Sequence, residues 1–371
     1  MLNSVFNAHN WAGVPFHFWS LIFFVLGCIV GSFLNVCIHR VPSGESLVSP
    51  PSHCPHCRYS IPWHLNIPLV TWVWLRGRCR NCGAPISARY FLVELLTGIM
   101  FLATWLAFGR QSAAVALVCC LFLAGLIAAS FIDFEHFIIP DSITIGGVAA
   151  GLLCSLLVPG LLGQNNGTTR AARSLLGAAF GAGLIYLILR IGKLLFGRQR
   201  VPLIGKSKIV FTETALCLPG REIPYEELFY RRSDVITLHA ERVELIDRCY
   251  WDVQIRLGPE QLQIGDEIFN PEDIPYMEAI SAEIILPREA MGLGDVKFMA
   301  AIGAFLGWQA VIFSVMLSSV IGSIVGVTLI LLGKRQWSSR MPYGPYIALA
   351  AVVWIFAGRD WWRELFASGP P

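Results

Sequence analysis

Apolar residues run along this chain in blocks too long for the strands or amphipathic helices of a soluble domain. A helix needs about 20 consecutive apolar residues to cross a bilayer. Blocks at roughly 17–38, 91–108, 113–134, 142–162, 173–196, 296–332 and 344–358 reach or approach that length. The 296–332 block is long enough for two spans with a break near Gly307-Trp308-Gln309, so the pattern predicts about eight transmembrane helices. Two polar stretches interrupt it. Residues 39–90 form an arginine-rich loop. Residues 197–290 contain KIVFTETALCL, DVITLHAERVELI and YWDVQIRL, where apolar and polar residues nearly alternate between Pro, Gly and Asp. That is the period of half-buried strands. The expected fold is a polytopic α-helical membrane protein with a small cytosolic loop domain and an inserted β-rich cytosolic domain. Its segments are 1–38 (first transmembrane helix), 39–90 (loop), 109–196 (helices), 197–290 (insert) and 291–371 (last helices). No internal repeat is visible.

Composition agrees. The 371 residues are 55% hydrophobic and only 14% charged, which excludes an ordinary soluble domain. The net charge of +3 calls for no nucleic-acid partner, because topology accounts for the basic residues. The N-terminal tail has no Lys or Arg, whereas the first loop carries Arg40, Arg58, Arg76, Arg78, Arg80 and Arg89. Arg190, Lys193, Arg198 and Arg200 follow the fifth block, and Lys334, Arg335 and Arg340 mark a later loop. With eight spans these loops share one side, the cytosol by the positive-inside rule, and both termini lie outside. The first block lacks the basic n-region and small-residue cleavage site of a signal peptide and is read as a retained helix.

The loop holds Cys54-Pro-His-Cys57 and Cys79-Arg-Asn-Cys82. Two CxxC knuckles at such a spacing supply four thiolates to one tetrahedral Zn²⁺, a closed and therefore structural site. The alternative, two disulfides, suits a reducing cytosolic loop poorly. His53, His56 and His64 stand nearby, but four sulfurs already complete the site. Cys119 and Cys154 lie in apolar blocks and read as small hydrophobes.

Carboxylates carry the remaining chemistry. Asp133 sits at the cytosolic end of the third block and Asp295 at the start of the sixth. An ionisable group at membrane depth suggests function, and both fall on one membrane face. Two carboxylates sharing a site do not both ionise easily, so one keeps a proton while the other activates water. Gly292 and Gly294 before Asp295 would allow unusual dihedrals and close approach to a substrate strand, or simply a turn into the helix. Glu135 points to another side of its helix, and Asp141 after Pro140 reads equally well as a helix N-cap.

These residues carry a resemblance. MGLGDVK, Met291 to Lys297, resembles the GxGD signature of intramembrane aspartyl proteases. With FIDFEHFIIPDSIT, GSFLNVCIHRVP, the cysteine loop through ARYFLVELLTG, and MPYGPYIALAA, the chain resembles the type IV prepilin peptidases, bifunctional leader peptidase/N-methyltransferases. The motifs occur in the family's order and cover nearly all of the chain outside 197–288. The resemblance implies an N-terminal peptidase A24-type domain over about 22–108. It implies Asp133 and Asp295 as catalytic residues, with Gly292, Gly294 and Lys297 in support, and Cys54, Cys57, Cys79 and Cys82 as zinc ligands. It also implies a multi-pass protein of the bacterial inner membrane, working at its cytosolic face. The substrates would be prepilins and type II secretion pseudopilins, cut after a glycine. The new N-terminus, commonly phenylalanine, would then be methylated from S-adenosylmethionine, with Gly31, Asn35 and the zinc loop as contributors.

Two departures stand out. Leu65 precedes Asn66-Ile67-Pro68 where relatives commonly carry an acidic residue, which leaves a leader peptidase without methyltransferase activity as the alternative. The insert of about 90 residues is the second; just ahead of Asp295 it could shape substrate access or be a passive insertion, since long loop insertions cost little stability. Other classes fit less well. A proton-coupled transporter favours midplane charges in paired halves, a zinc-binding assembly factor has no use for paired aspartates, and no GxSG nucleophile motif of a rhomboid protease is present.

Overall fold

The computed structural model describes residues 15–162, 166–229, 234–287, 292–333 and 341–366; Met291, Lys334, Arg335 and Arg340 lie outside them. The chain divides into two compact units, 1–186 with 292–371, and 187–291.

The first unit is helical: α1 (Phe16–Arg40), a short α2 (Val70–Trp74), α3 (Ala88–Phe108), α4 (Ala113–His136) and α5 (Asp141–Leu157) come first. They are followed by α6 (Gly167–Phe196), which runs on into the second unit, then α7 (Leu293–Leu306) and α8 (Trp308–Leu331). Last is α9 (Gly344–Val353), continued by a π-helical turn into α10 (Arg359–Phe366). Among the described residues five helices, α1, α3, α4, α6 and α8, are long and apolar enough to cross a membrane. α5, α7 and α9 are apolar but shorter. The long 296–332 block is broken at Gly307, whose φ of 86° ends α7 and starts α8.

Small residues let these helices meet closely, the usual solution where lipid supplies no hydrophobic drive between helices. A Cβ on Gly177 would stand 2.1 Å from the Gly303 carbonyl oxygen, so α6 and α7 touch backbone to backbone. α7 is buried from Phe298 to Leu306. α1 packs on α3 the same way, at Gly27 and Gly31 against Thr97 and Glu94.

The second unit carries one eight-stranded antiparallel sheet, from β1 (Arg198–Phe211) to β8 (Met277–Pro287). Between them come β2 (Ala215–Leu218), β3 (Arg221–Pro224), β4 (Ile236–Glu244), β5 (Cys249–Leu257), β6 (Leu262–Ile264) and β7 (Glu267–Phe269). The order is β3-β2-β1-β8-β4-β5-β6-β7. The last strand thus inserts between β1 and β4, with Ile209 opposite Ala279 and Leu238 opposite Ile284. Alternating positions Ile209, Leu238, Ile255 and Ile284 form its core. Arg198 pairs with Pro287, so the chain enters and leaves the sheet on adjacent strands. An insertion with juxtaposed ends disturbs its host little.

Candidate active site

Asp133 occupies the last turn of α4. That helix stops because Phe137 turns left-handed (φ 56°, ψ 30°) and returns its N–H to the Asp133 carbonyl at 2.9 Å. Pro140 then opens α5. The Asp133 side chain, only 6% exposed, accepts a 2.8 Å hydrogen bond from the N–H of Gly344, first residue of α9. A helix N-terminus leaves such N–H groups without partners and offers partial positive charge, so a carboxylate suits it. Only glycine fits there: a Cβ on residue 344 would lie 2.7 Å from Asp133 Oδ2. Tyr343, just before it, fixes the start of α9 through its hydroxyl, 3.0 Å from Ser318 Oγ and 3.1 Å from Ser319 Oγ of α8.

Asp295 sits in the first turn of α7, 9% exposed, and its carboxylate is hydrogen-bonded by the backbone of the N-cap residue, Gly292. This is the side chain-to-N-cap half of a capping box. A cap alone has no need of burial, and Asp295 lies within electrostatic reach of Asp133. Ile139 lies against both Gly294 and Gly344. The structure therefore brings the two aspartates from separate helices into one buried place, each held by a backbone N–H at a helix start.

The glycines differ from expectation. Gly292 has ordinary dihedrals (φ −77°, ψ 155°), and Gly294 has no positive φ. Gly294 serves contact instead, since a Cβ there would press on Ile139 at 3.3 Å. Lys297 pairs with Asp141 at 2.6 Å in an exposed ion pair joining α7 to the start of α5. Asp141 is not an N-cap; Pro140 holds that position. Glu135 pairs with Arg89 of α3. The exposed Lys297–Asp141 pair is worth about 0–1 kcal/mol, while Glu135 and Arg89 are half-buried. Glu135→Gln and Lys297→Met are expected to leave trimming of a substrate leader within about tenfold of wild type, measured by mass spectrometry of the product. Gly344→Ala should lower the trimming rate by 10²-fold or more, because displacing a reacting group by about 1 Å costs that much. Trimming by the alanine variant at the wild-type rate would dismiss the Gly344 contact as incidental.

The four cysteines form the second centre. Their sulfurs all lie within 4.8 Å of one another, with Cys54 and Cys82 at 3.8 Å and Cys57 and Cys79 at 4.0 Å. A disulfide needs about 2.05 Å, whereas a tetrahedron with Zn–S near 2.3 Å has edges of about 3.8 Å. The two knuckles match each other. Arg58 (φ 55°) and Gly83 (φ 71°) each follow the second cysteine of a pair and return an N–H to the first, at 2.9 Å. The Tyr59 backbone and the Asn81 amide lower the Cys57 thiol to about 6, toward the thiolate a metal binds. His53, His56 and His64 are not in the cluster. The donor set fits zinc.

Sequence reasoning missed Gly344 and Glu94. Glu94 is a charge inside an apolar block, itself a signal. It is buried in α3, accepts the Leu69 N–H at 2.7 Å and a hydrogen bond from Ser32 of α1. Leu69 is held at φ 61°, ψ −50°, and the Val70 N–H closes a three-residue turn onto the Pro68 carbonyl at 2.6 Å. That γ-turn geometry is rare and strained, costing about 1–3 kcal/mol. Asn35 donates to the Tyr90 and Gly31 carbonyls, joining α1 to α3, and Leu65 is buried in a 3₁₀ turn.

Comparison with known proteins adds two family matches. The Bacterial Peptidase A24 N-terminal domain matches residues 25–108. The Type IV leader peptidase family matches 120–205 and 275–327, skipping most of the sheet. A prepilin leader peptidase/N-methyltransferase of Aeromonas hydrophila is 29% identical over 95% of this chain and 97% of its own length. One of Myxococcus xanthus is 48% identical over 36% of this chain and 39% of its own length. A type 4 prepilin-like proteins leader peptide-processing enzyme of Escherichia coli O78:H11 is 44% identical over 35% of this chain and 54% of its own length. No solved structure matches.

Proposed function

The chain belongs to the type IV leader peptidase family, and we propose that it is a membrane aspartic endopeptidase that trims the leaders of type IV prepilins and type II secretion pseudopilins and N-methylates the new N-terminus. The observation that carries this reading is the buried pair Asp133 and Asp295, delivered from α4 and α7 to one place. One carboxylate takes a proton from the attacking water. The other, protonated, hydrogen-bonds the scissile carbonyl oxygen and later delivers its proton to the leaving amine. The Gly344 and Gly292 backbones hold the two groups in place, and Ile139 lies against both Gly344 and Gly294.

The five long helices together with α5, α7 and α9 make eight crossings of the bacterial inner membrane. At 14 residues α7 spans only about 21 Å. Its burial among other helices frees it from having to match the bilayer thickness. The basic loop 39–90 then faces the cytosol, as do the C-terminal end of α4 and the N-terminal end of α7, which bear the aspartates. A substrate's basic leader stays in the cytosol while its hydrophobic helix lies in the bilayer, which sets the scissile bond at the cytosolic rim. Cys54, Cys57, Cys79 and Cys82 would hold a structural Zn²⁺, and S-adenosylmethionine would supply the methyl group. The insert builds an eight-stranded sheet of its own, from Arg198 to Pro287.

The test is mass spectrometry of a prepilin co-expressed with this protein. A trimmed and methylated product is expected. A trimmed, unmethylated product would favour the second reading, a leader peptidase alone, which Leu65 motivates. No trimming of any candidate prepilin would sink the proposal.

A further inference from the structure

A groove of about 720 Å³ lies between α1 and the loop that follows it, within the size range of ligand pockets. Val25, Ile29 and Phe33 of α1 form one wall, Ile67 and Val70 of the loop another, and all five are exposed. Among the described residues Arg40 is the only charged side chain in the lining. It is 7% exposed, and its guanidinium donates to the carbonyls of Ser46 and Pro50, 2.9 and 2.7 Å away. Both acceptors are neutral and take only two of its five N–H groups. No carboxylate pairs with it among the described residues. A buried cation without a countercharge is strongly unfavourable. The groove is therefore apolar along its length, with one unanswered positive charge at its end.

We propose that this groove holds one anionic phospholipid of the cytosolic leaflet, with its phosphate on Arg40 and an acyl chain along Val25, Ile29 and Phe33. Guanidinium and phosphate make strong charge-assisted hydrogen bonds, and basic pockets at the cytosolic side of membrane helices take acidic headgroups. The length fits. From Val25 to Arg40 α1 rises about 22 Å, whereas one leaflet of an about 30 Å hydrocarbon core is about 15 Å deep. The wall thus spans the acyl region and still reaches headgroup level at Arg40. Charge selects the class of lipid. A zwitterionic headgroup would bring an ammonium to a lining that offers no carboxylate, and a soluble anion would leave the apolar walls bare. The same guanidinium holds the Ser46 and Pro50 carbonyls, so the bound lipid also braces the start of the 39–90 loop. The inference rests on α1 crossing the membrane and on neither enzymatic activity.

The experiment is native mass spectrometry of the delipidated full chain in detergent, titrated with phosphatidylglycerol or with phosphatidylcholine of the same acyl chains. Wild type should retain one phosphatidylglycerol per chain, at least tenfold more tightly than phosphatidylcholine. A diazirine-bearing phosphatidylglycerol should cross-link within 24–40, 47–52 or 66–70. Arg40→Gln should reduce the preference to less than twofold, while Arg80→Gln, which removes an exposed charge of the same loop, should keep it. Because Arg40 also holds loop carbonyls, Ile29→Trp supplies a second arm. It fills the apolar wall without touching the cation and should lower retention of both lipids at least tenfold. Equal retention of the two lipids by wild type, an unchanged preference in Arg40→Gln, or full retention by Ile29→Trp would overturn the proposal. So would cross-links confined to other segments. Displacement by glycerol 3-phosphate at equal concentration would make the groove a site for soluble anions, and cross-linking of a bound prepilin in place of lipid would make it a substrate surface; either result would also reject the lipid.

Discussion

Asp133→Asn and Asp295→Asn should each abolish leader trimming while leaving the protein folded in the membrane. The asparagine amide oxygen can still accept the Gly344 N–H at residue 133, or the Gly292 backbone bond at residue 295. Burial and shape are also kept, so the helix ends stay where they are. Lost is the ability to take or give a proton. General acid–base catalysis contributes about 10²–10⁴-fold for each group. Water attack on an amide needs both, so either single variant should fall to background. The double variant should be no worse than either single one, because groups that act as one unit are not additive. The measurement is the fraction of co-expressed prepilin trimmed, with membrane insertion checked in parallel. Near-normal trimming by either single variant would refute the dyad, and a dead Glu135→Gln beside an active Asp133→Asn would move the role to Glu135.

The long apolar helices, and the two aspartates as candidate residues, stood out in the chain because their signals are local. A run of apolar residues interrupted by one carboxylate stands out, as does a glycine pair before another. The break at Gly307 was legible for the same reason: Gly-Trp-Gln interrupts an apolar run, and the positive φ there needs glycine. Contacts between distant segments were not legible. Gly344 looks like any helix-starting glycine until Asp133, 211 residues earlier, is found against its N–H. Lys297 reads as a companion of Asp295 but bonds Asp141, and Gly292 and Gly294 serve packing and capping without unusual dihedrals. In the sheet, the alternating runs of β4 and β5 were readable. β8 was not, since AISAEIIL lacks a clean period and its place between β1 and β4 is set by a long-range pairing. β3, β6 and β7 are only 3–4 residues long, too short to show a period at all.

Removing the metal should be the second large effect. The cluster has the edge lengths of a ZnS₄ tetrahedron, and it ties together the two knuckles of residues 39–90. The loop has no long helix or strand of its own, only the five-residue α2, a 3₁₀ turn and two isolated bridges, His53 with Ser60 and Arg78 with Pro85. Structural zinc is worth about 10–16 kcal/mol in small zinc domains, far more than such short elements supply. Wild type should carry one zinc per chain by elemental analysis. Changing Cys57 and Cys79 to Ser together should empty the site and open the loop to trypsin at the exposed Arg58, Arg76 and Arg78. The two activities should then separate. The aspartates are placed by α4, α7 and α9, none of which the loop builds, so trimming should survive in part. Methyl transfer should fall much further, because the resemblance gives this loop a share in that activity and none in trimming. Metal retained by a variant lacking all four thiols would reject the site, and equal loss of both activities would reject the division of labour between loop and helices.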